Sequence, residues 1–524
     1  MTANTPNARK TDTVLDDKNQ KLNILMAASE IKPYSGNGGM GMVTQALTQK
    51  HAENGHDVGT ISPWYTSIET SEKYQKLPEE QKIKIIGEID VPFKQGFVKA
   101  EVGRAVDANG IEHLFVKNDD LYTVDYDVDE EKKKTPKLYG YENDDERFAF
   151  FSRAIPQAAA LNNPKSPPDV VHCHDWQTGI VPAIIKHGAH LPRTWQQKPP
   201  ATMMTLHRGE FDFPPVSVEH LAHLTRLPNN IADIAHLEYG GKASTLWSGV
   251  GEADRWTTVS GNYFNELIDP NGPYMNYQEF ADKGEGIVNG INTRFWDGST
   301  TNPKEQEAKI AGKIAKREEL YEKNSLEKGR PLIGVVSRIS EEKGMGILIE
   351  AIPELVEKQD WNLIVGGKVY SDELDKGLRE MADRFPENVK YSPGWIPAKD
   401  VFEAADCNAL PSKSEPCGLT QMEGQTEAVI AIARKTGGLV DTIKHGVTGF
   451  LFEDYTKDSL LEATREAKET MENAPEKWKQ MQRNSLALDN SWDKSAESYV
   501  ADYQAAIEAN KARIQQNSKE FSIA

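Results

Sequence analysis

The chain is poor in cysteine, with only Cys173, Cys407 and Cys417 in 524 residues, and it has no apolar run of the roughly 18 residues that a membrane-spanning helix needs. The three cysteines have neither paired nor metal-like spacing, which excludes a disulfide framework and a cysteine-built metal site and fits a reducing cytoplasm. Residues 1–20 lack the apolar core of a signal peptide and read as a disordered tail on a soluble protein. Positive charge is also short: 61 Lys and Arg against 80 Asp and Glu give a net charge of −19. That balance argues against nucleic acid or an anionic membrane as partner, so any phosphate must be met by local cations. The length exceeds what one hydrophobic core usually spans and predicts at least two domains.

Strand-like apolar runs alternate with amphipathic segments throughout. They are Leu22–Ala28, Asp169–Cys173, Thr202–Leu206, Arg255–Val259, Gly286–Val288, Leu332–Val336, Trp361–Val365, Cys407–Leu410 and Ala428–Ile432. Such alternation predicts an α/β chain with parallel, doubly wound sheets. The polar segment 297–330 separates two series of strands and reads as a linker region. The expected organisation is a tail at 1–20, a Rossmann-like domain at 21–296, a second at 331–490, and a C-terminal helix and tail at 491–524.

The segment Pro411–Gln421, continued to Thr436–Leu439, carries the most chemistry. Pro416 and Gly418 read as a turn opening a helix whose first amides lack internal partners, an arrangement that attracts phosphate. Glu415 and Glu423 lie about two helical turns apart on a similar face, so one can meet a sugar and the other a ribose. Arg338 and Lys343 follow the strand at 332–336, at the end of a sheet where ligands bind, and suit a diphosphate clamp better than a solvated surface pair. His172, His174 and Asp175 lie at another strand end, with His207 after the next. A strand puts residues i and i+2 on one face but supplies no third metal ligand, so these groups suit hydrogen bonds to a polyhydroxylated substrate or to loop amides. Asn289 adds an amide, and Trp395 a flat face for a nucleobase or for the core. Gly36, Gly38, Gly39 and Gly41 match the dinucleotide fingerprint literally, but Ser29–Ser35 intervenes after the strand, which speaks against a nicotinamide-dependent dehydrogenase.

Several signatures in order resemble the bacterial glycogen synthase and plant starch synthase family from about Leu22 to Tyr503. They are Ser29–Pro33 with Gly38 and Gly39, Arg147–Ser152, Val170–Trp176, Ala253–Ser260, Val288–Ile291, Val336–Gly344, Glu415–Gln421, Thr436–Leu439, and Met481–Asn484 with Ser491 and Trp492. The resemblance implies a GT-B fold, with two Rossmann-like domains facing a cleft and a C-terminal helix crossing back to the first. It implies a retaining glucosyltransferase that extends an α-1,4-glucan from a nucleotide sugar, with ADP-glucose as the family's default donor, no required metal and no cofactor besides that donor. The implied partners are the nucleotide sugar and the glucan acceptor, with neither nucleic acid nor membrane.

Carried over residue by residue, the resemblance has Arg338 and Lys343 bind the diphosphate and support its departure. Glu415 holds the donor glucose, and Asp175, His207 and Asn289 position it. Amides near Gly38, Gly39 and Gly437 complete the phosphate and sugar contacts, and Cys417, Gly418, Glu423, Thr436 and Gly438 belong to the same nucleotide-sugar site. Trp395 takes the place of a base-stacking tyrosine.

The sequence also departs from the pattern. The family's Lys-x-Gly-Gly-Leu lysine is Gly36, an aspartate after the glycines is Met42, an asparagine after the first-domain histidine is Arg208, and the acid after Asn-Gly-Ile is Asn292. Glu423 replaces an aromatic residue and restores the Glu-x7-Glu spacing of other retaining GT-B enzymes. Two readings therefore stand beside glucan synthesis from ADP-glucose: a transferase with another donor or acceptor, and a catalytically weakened homologue that binds glucan.

Overall fold

The computed structural model describes residues 21–36, 39–128, 134–209, 214–228, 236–292, 295–296, 298–394 and 396–523. A nine-stranded sheet fills the first half of the chain. Its strands run in the order Gly284–Gly286, Arg255–Thr258, Ala201–Leu206, Val170–His174, Asn23–Ala27, Asp57–Pro63, Glu112–Lys117, Gly96–Val106 and Lys84–Phe93. The pairing is parallel as far as Glu112–Lys117, and the last two strands add an antiparallel edge. The strands at 170–174 and 201–206 are buried at every position, which is why they read as continuous apolar runs. The edge hairpin was not expected from the sequence. One of its faces meets solvent, with Ile85 and Phe97 exposed, so its apolar residues never form an unbroken run.

A second, wholly parallel sheet follows in the order Val389–Pro393, Asn362–Gly367, Leu332–Val336, Cys407–Leu410, Ile430–Arg434 and Gly449–Phe452. Each sheet has one place where the winding direction reverses. In the first it lies between Asn23–Ala27 and Val170–His174, and in the second between Leu332–Val336 and Cys407–Leu410. Loops leaving adjacent strands at such a point diverge to opposite faces and leave a crevice. Here the two crevices face each other.

The segment 297–330, expected as a linker region, is largely the helix Pro303–Asn324, docked on the second domain. The Lys313 ammonium donates to the carbonyls of Phe402 and Glu427 at 2.8 Å each, and Arg317 pairs with Asp406 at 2.5 Å. The polarity that suggested a linker is thus used in buried contacts to the second domain. The C-terminal helix Trp492–Ile523 returns to the first domain as expected. It packs Trp492, Ala496, Tyr499 and Tyr503 against Leu22, Ile24, Met26 and Leu47. Its Asp502 meets Arg255 at 2.6 Å and its Asn510 donates to the Pro199 carbonyl at 2.9 Å. Among the described residues no helix is long and apolar enough to cross a membrane.

Candidate active site

The opposed crevices form one cavity of about 980 Å³, lined from both domains. On the first-domain wall, the strand Val170–His174 ends at Asp175, which turns with φ +55, a conformation that aspartate tolerates better than most residues. Asp175 Oδ1 accepts the backbone amides of His207 at 2.7 Å and Arg208 at 3.4 Å, tying two neighbouring strand ends together. Burial pushes this carboxyl up to about 7 despite those bonds. At neutral pH it therefore offers either a proton or a lone pair to a hydroxyl in the cleft.

The three histidines form a stack. The His172 and His174 rings lie 4.1 Å apart, and His174 Nδ1 lies 3.1 Å from His207 Nε2. His172 also bonds Tyr503 of the C-terminal helix at 2.8 Å and Thr205 at 2.7 Å. Burial holds His172 and His174 well below the usual imidazole range and His207 at about 4, so all three are neutral hydrogen-bonding groups. Asn289 and Gln177 line the same wall, and among the described residues their carbonyl oxygens Oδ1 and Oε1 are buried without a hydrogen-bond partner. Orphaned buried acceptors of this kind suit the hydroxyls of a sugar.

The second-domain wall presents Arg338, Lys343 and Glu415. Lys343 Nζ meets Glu415 Oε2 at 2.5 Å, and Ser412 Oγ donates to the same oxygen at 3.2 Å. Burial pulls the Lys343 amine below its ordinary value while Glu415 opposes the shift. Arg338 is likewise lowered by burial and stacks over Tyr370 at 5.7 Å.

The remaining expected residues divide into groups. Gly39, Cys417 and Gly418 line the cavity with those above. Thr436, Gly437 and Gly438 are not among the described residues lining it and stand behind the Glu415 turn. The Gly437 amide donates to Glu266 of the first domain at 2.8 Å and the Gly438 amide to the Glu415 carbonyl at 3.0 Å. Gly437 has φ +47, and a Cβ on it would lie 2.0 Å from the Glu415 carbonyl oxygen, so only glycine permits this close approach. Glu423, on the short helix Thr420–Gln425, is also not among the described lining residues. It bonds Trp296, and burial pushes its carboxyl up to about 7. Gly38 and Trp395 lie outside the described residues.

Sequence reasoning missed Lys32, Glu30, Tyr139 and Tyr370, which all line the cavity. Tyr139 donates to Glu30 at 2.6 Å. Lys32 donates to the Gly36 carbonyl, and a Cβ on Gly36 would lie 3.1 Å from Lys32 Cε. An ammonium thus stands beside the position where the lysine of the resembling motif is missing. The pairing of a glycine at 36 with a lysine four residues earlier was the available signal. Among the described residues, no group of three His, Cys, Asp or Glu side chains is placed to hold a metal ion.

Residues 23–284 match the family described as starch synthase catalytic domain, and residues 316–485 match glycosyl transferases group 1. Glycogen synthase 2 of Geobacter sulfurreducens is 30% identical over 515 residues, covering 94% of this chain and all of that protein. Glycogen synthase of Bacillus subtilis is 30% identical, covering 91% of this chain and 97% of its own. Among solved structures, the catalytic domain of starch synthase IV from Arabidopsis thaliana, bound to ADP and acarbose, superposes with a TM-score of 0.78 at 23% identity. It covers 93% of this chain and all of that one.

Proposed function

The chain belongs to the starch and glycogen synthase family of GT-B glycosyltransferases, and from that membership we propose that it transfers glucose from a nucleotide sugar to the non-reducing end of an α-1,4-glucan. The observation that carries the reading is the joint wall of the cleft, where Arg338, Lys343 and Glu415 face Asp175, His207 and Asn289 around one cavity.

In this mechanism Arg338 and Lys343 hold the donor diphosphate and stabilise the negative charge that grows on it as the bond to glucose breaks. Glu415 fixes the ammonium of Lys343 and accepts from the glucose hydroxyls. Neutral His207, Asn289 and Asp175 orient the ring from the other domain. The bond from C1 to the phosphate oxygen breaks as C1 joins the acceptor's 4-hydroxyl oxygen from the same face. The bonding electrons leave with the phosphate, whose oxygen takes the hydroxyl proton, and the α configuration is retained. The reaction needs no metal in this reading, because fixed cations of the chain carry the electrostatic stabilisation, and the enzyme acts in the cytoplasm.

Met42 supports a second reading for the donor alone. Met42 is 50% exposed and lines the cleft, so an apolar thioether stands where the resemblance has an aspartate. The test is release of nucleoside diphosphate from ADP-, UDP- and GDP-glucose, each with and without maltooligosaccharide. Acceptor-dependent release from at least one donor is expected; no release from any of the three would remove the proposal.

A further inference from the structure

Three cations converge on the diphosphate side of the cleft, and one comes from the opposite domain. Lys343 is matched by Glu415 at 2.5 Å. Arg338 and Arg208 both meet the carboxylate of Glu342. Arg208 Nη1 donates to Glu342 Oε2 at 2.7 Å, its Nη2 pairs with Oε1, and Arg338 Nη2 lies 3.2 Å from that same Oε1. Arg208 thus makes a two-pronged guanidinium–carboxylate pair across the cleft, and Arg338 adds a second guanidinium to the same acceptor. Arg208 and Arg338 both line the cavity, one from each domain. Besides burial, the charge of Arg208 helps to hold both Arg338 and Lys343 below their ordinary values.

We propose that Arg208 is a third diphosphate-binding residue, carried by the first domain, and that Glu342 is a resident stand-in for the donor's phosphates. This rests on the nucleotide-sugar reading above. A diphosphate has more charge and more acceptor oxygens than a carboxylate, so it takes both guanidiniums from Glu342 and bonds them in its place. Because Arg208 follows the strand Ala201–Leu206 and Arg338 follows Leu332–Val336, the leaving group is then gripped from both domains at once. Glu342 keeps Arg208 aimed across the cleft before the donor arrives, and it competes with the donor for that arginine. Asp175, which accepts the Arg208 backbone amide, sets the base of the side chain.

The test is calorimetric titration of wild type, R208A, R208K and E342Q with ADP, UDP and GDP, together with donor KM, kcat and thermal midpoints. R208A is expected to weaken diphosphate binding and raise donor KM by about tenfold or more, the scale of one charge-assisted contact. R208K recovers part of the loss, because a point charge replaces a fork. E342Q lowers its thermal midpoint yet binds the diphosphate more tightly than wild type, because the competing carboxylate is gone. A merely structural latch predicts the opposite, with both variants less stable and neither changed in diphosphate affinity, and that result overturns the proposal. If R208A does not fold, R208K and E342Q still decide, since only a phosphate role moves their affinities in opposite directions. If wild type binds and transfers normally while R208A matches its Kd and KM, the Arg208 assignment alone fails. If wild type binds none of the three nucleotides and transfers from no donor, the glycosyltransferase reading fails with it.

Discussion

Replacing Glu415 with glutamine removes one negative charge from a pair that the fold has largely taken out of water. The Lys343 and Glu415 side chains are 13% and 9% exposed and meet at 2.5 Å. The carboxamide keeps the shape and leaves an acceptor for Lys343 and Ser412, so E415Q tests charge rather than packing. Breaking a buried ion pair by removing one partner costs about 3–5 kcal/mol, and the retained hydrogen bond puts E415Q near the lower end of that range. The stability loss has a chemical counterpart. Glu415 is a principal influence holding the Lys343 amine up against burial, so its loss lowers that pKa further. A group with a depressed ammonium pKa is charged below that value and neutral above it. Diphosphate affinity in E415Q is therefore expected to start falling at a lower pH than in wild type as pH is raised. Loss of one preorganised electrostatic contact in the transition state costs about 3–4 kcal/mol, so kcat is expected to drop roughly 10²- to 10³-fold. The assays are donor turnover and nucleoside diphosphate titration over a pH series, with circular dichroism to confirm folding. A folded E415Q with kcat within threefold of wild type and a parallel pH profile would refute the electrostatic role of the pair.

Other substitutions separate contact from support. G437A forces a methyl against the Glu415 carbonyl oxygen, 2.0 Å away, at a φ of +47, so kcat is expected to fall at least tenfold together with a lowered thermal midpoint; an unchanged kcat would show that the turn behind Glu415 is not constrained. Glu423 has its folded pKa raised to about 7, so its ionised form disfavours folding above that pH and its proton is retained as pH falls. E423Q is expected to be more stable than wild type at pH 8 by about 1–3 kcal/mol, with the difference shrinking toward pH 5. Its donor KM should be unchanged, whereas a rise would mean that the carboxyl meets the ribose after all. Y503F removes the bond from the C-terminal helix to buried His172 and is expected to cost about 1–3 kcal/mol by thermal denaturation; no loss would show that the return helix does not depend on it.

Much of the framework was legible because a parallel sheet is buried on both faces and its strands read as continuous apolar runs. The strands at 170–174, 201–206, 332–336 and 407–410 fall close to their expected places, and with them the two crevices that position Asp175, Arg338, Lys343 and Glu415. The edge hairpin at 84–106 escaped because one solvated face interrupts its pattern. The helix at 303–324 escaped because its lysines and arginine satisfy carbonyls and carboxylates of the second domain, which a sequence cannot distinguish from a solvated linker. At the site, the turns at Gly418 and Gly437 both read as contacts to the nucleotide sugar. Only the close approach of Gly437 to Glu415 shows that the second turn supports the first. The pairing of Arg208 with Glu342 joins residues 134 positions apart and carries no local signal.

The most direct measurement is a proton NMR time course of ADP-, UDP- or GDP-glucose with maltotriose and wild-type enzyme. The account predicts a new α-1,4 anomeric signal, without a transient β anomer, growing one for one with released nucleoside diphosphate. A β-linked product, or no glucosyl transfer from any of the three donors under conditions where the protein is folded, would contradict it.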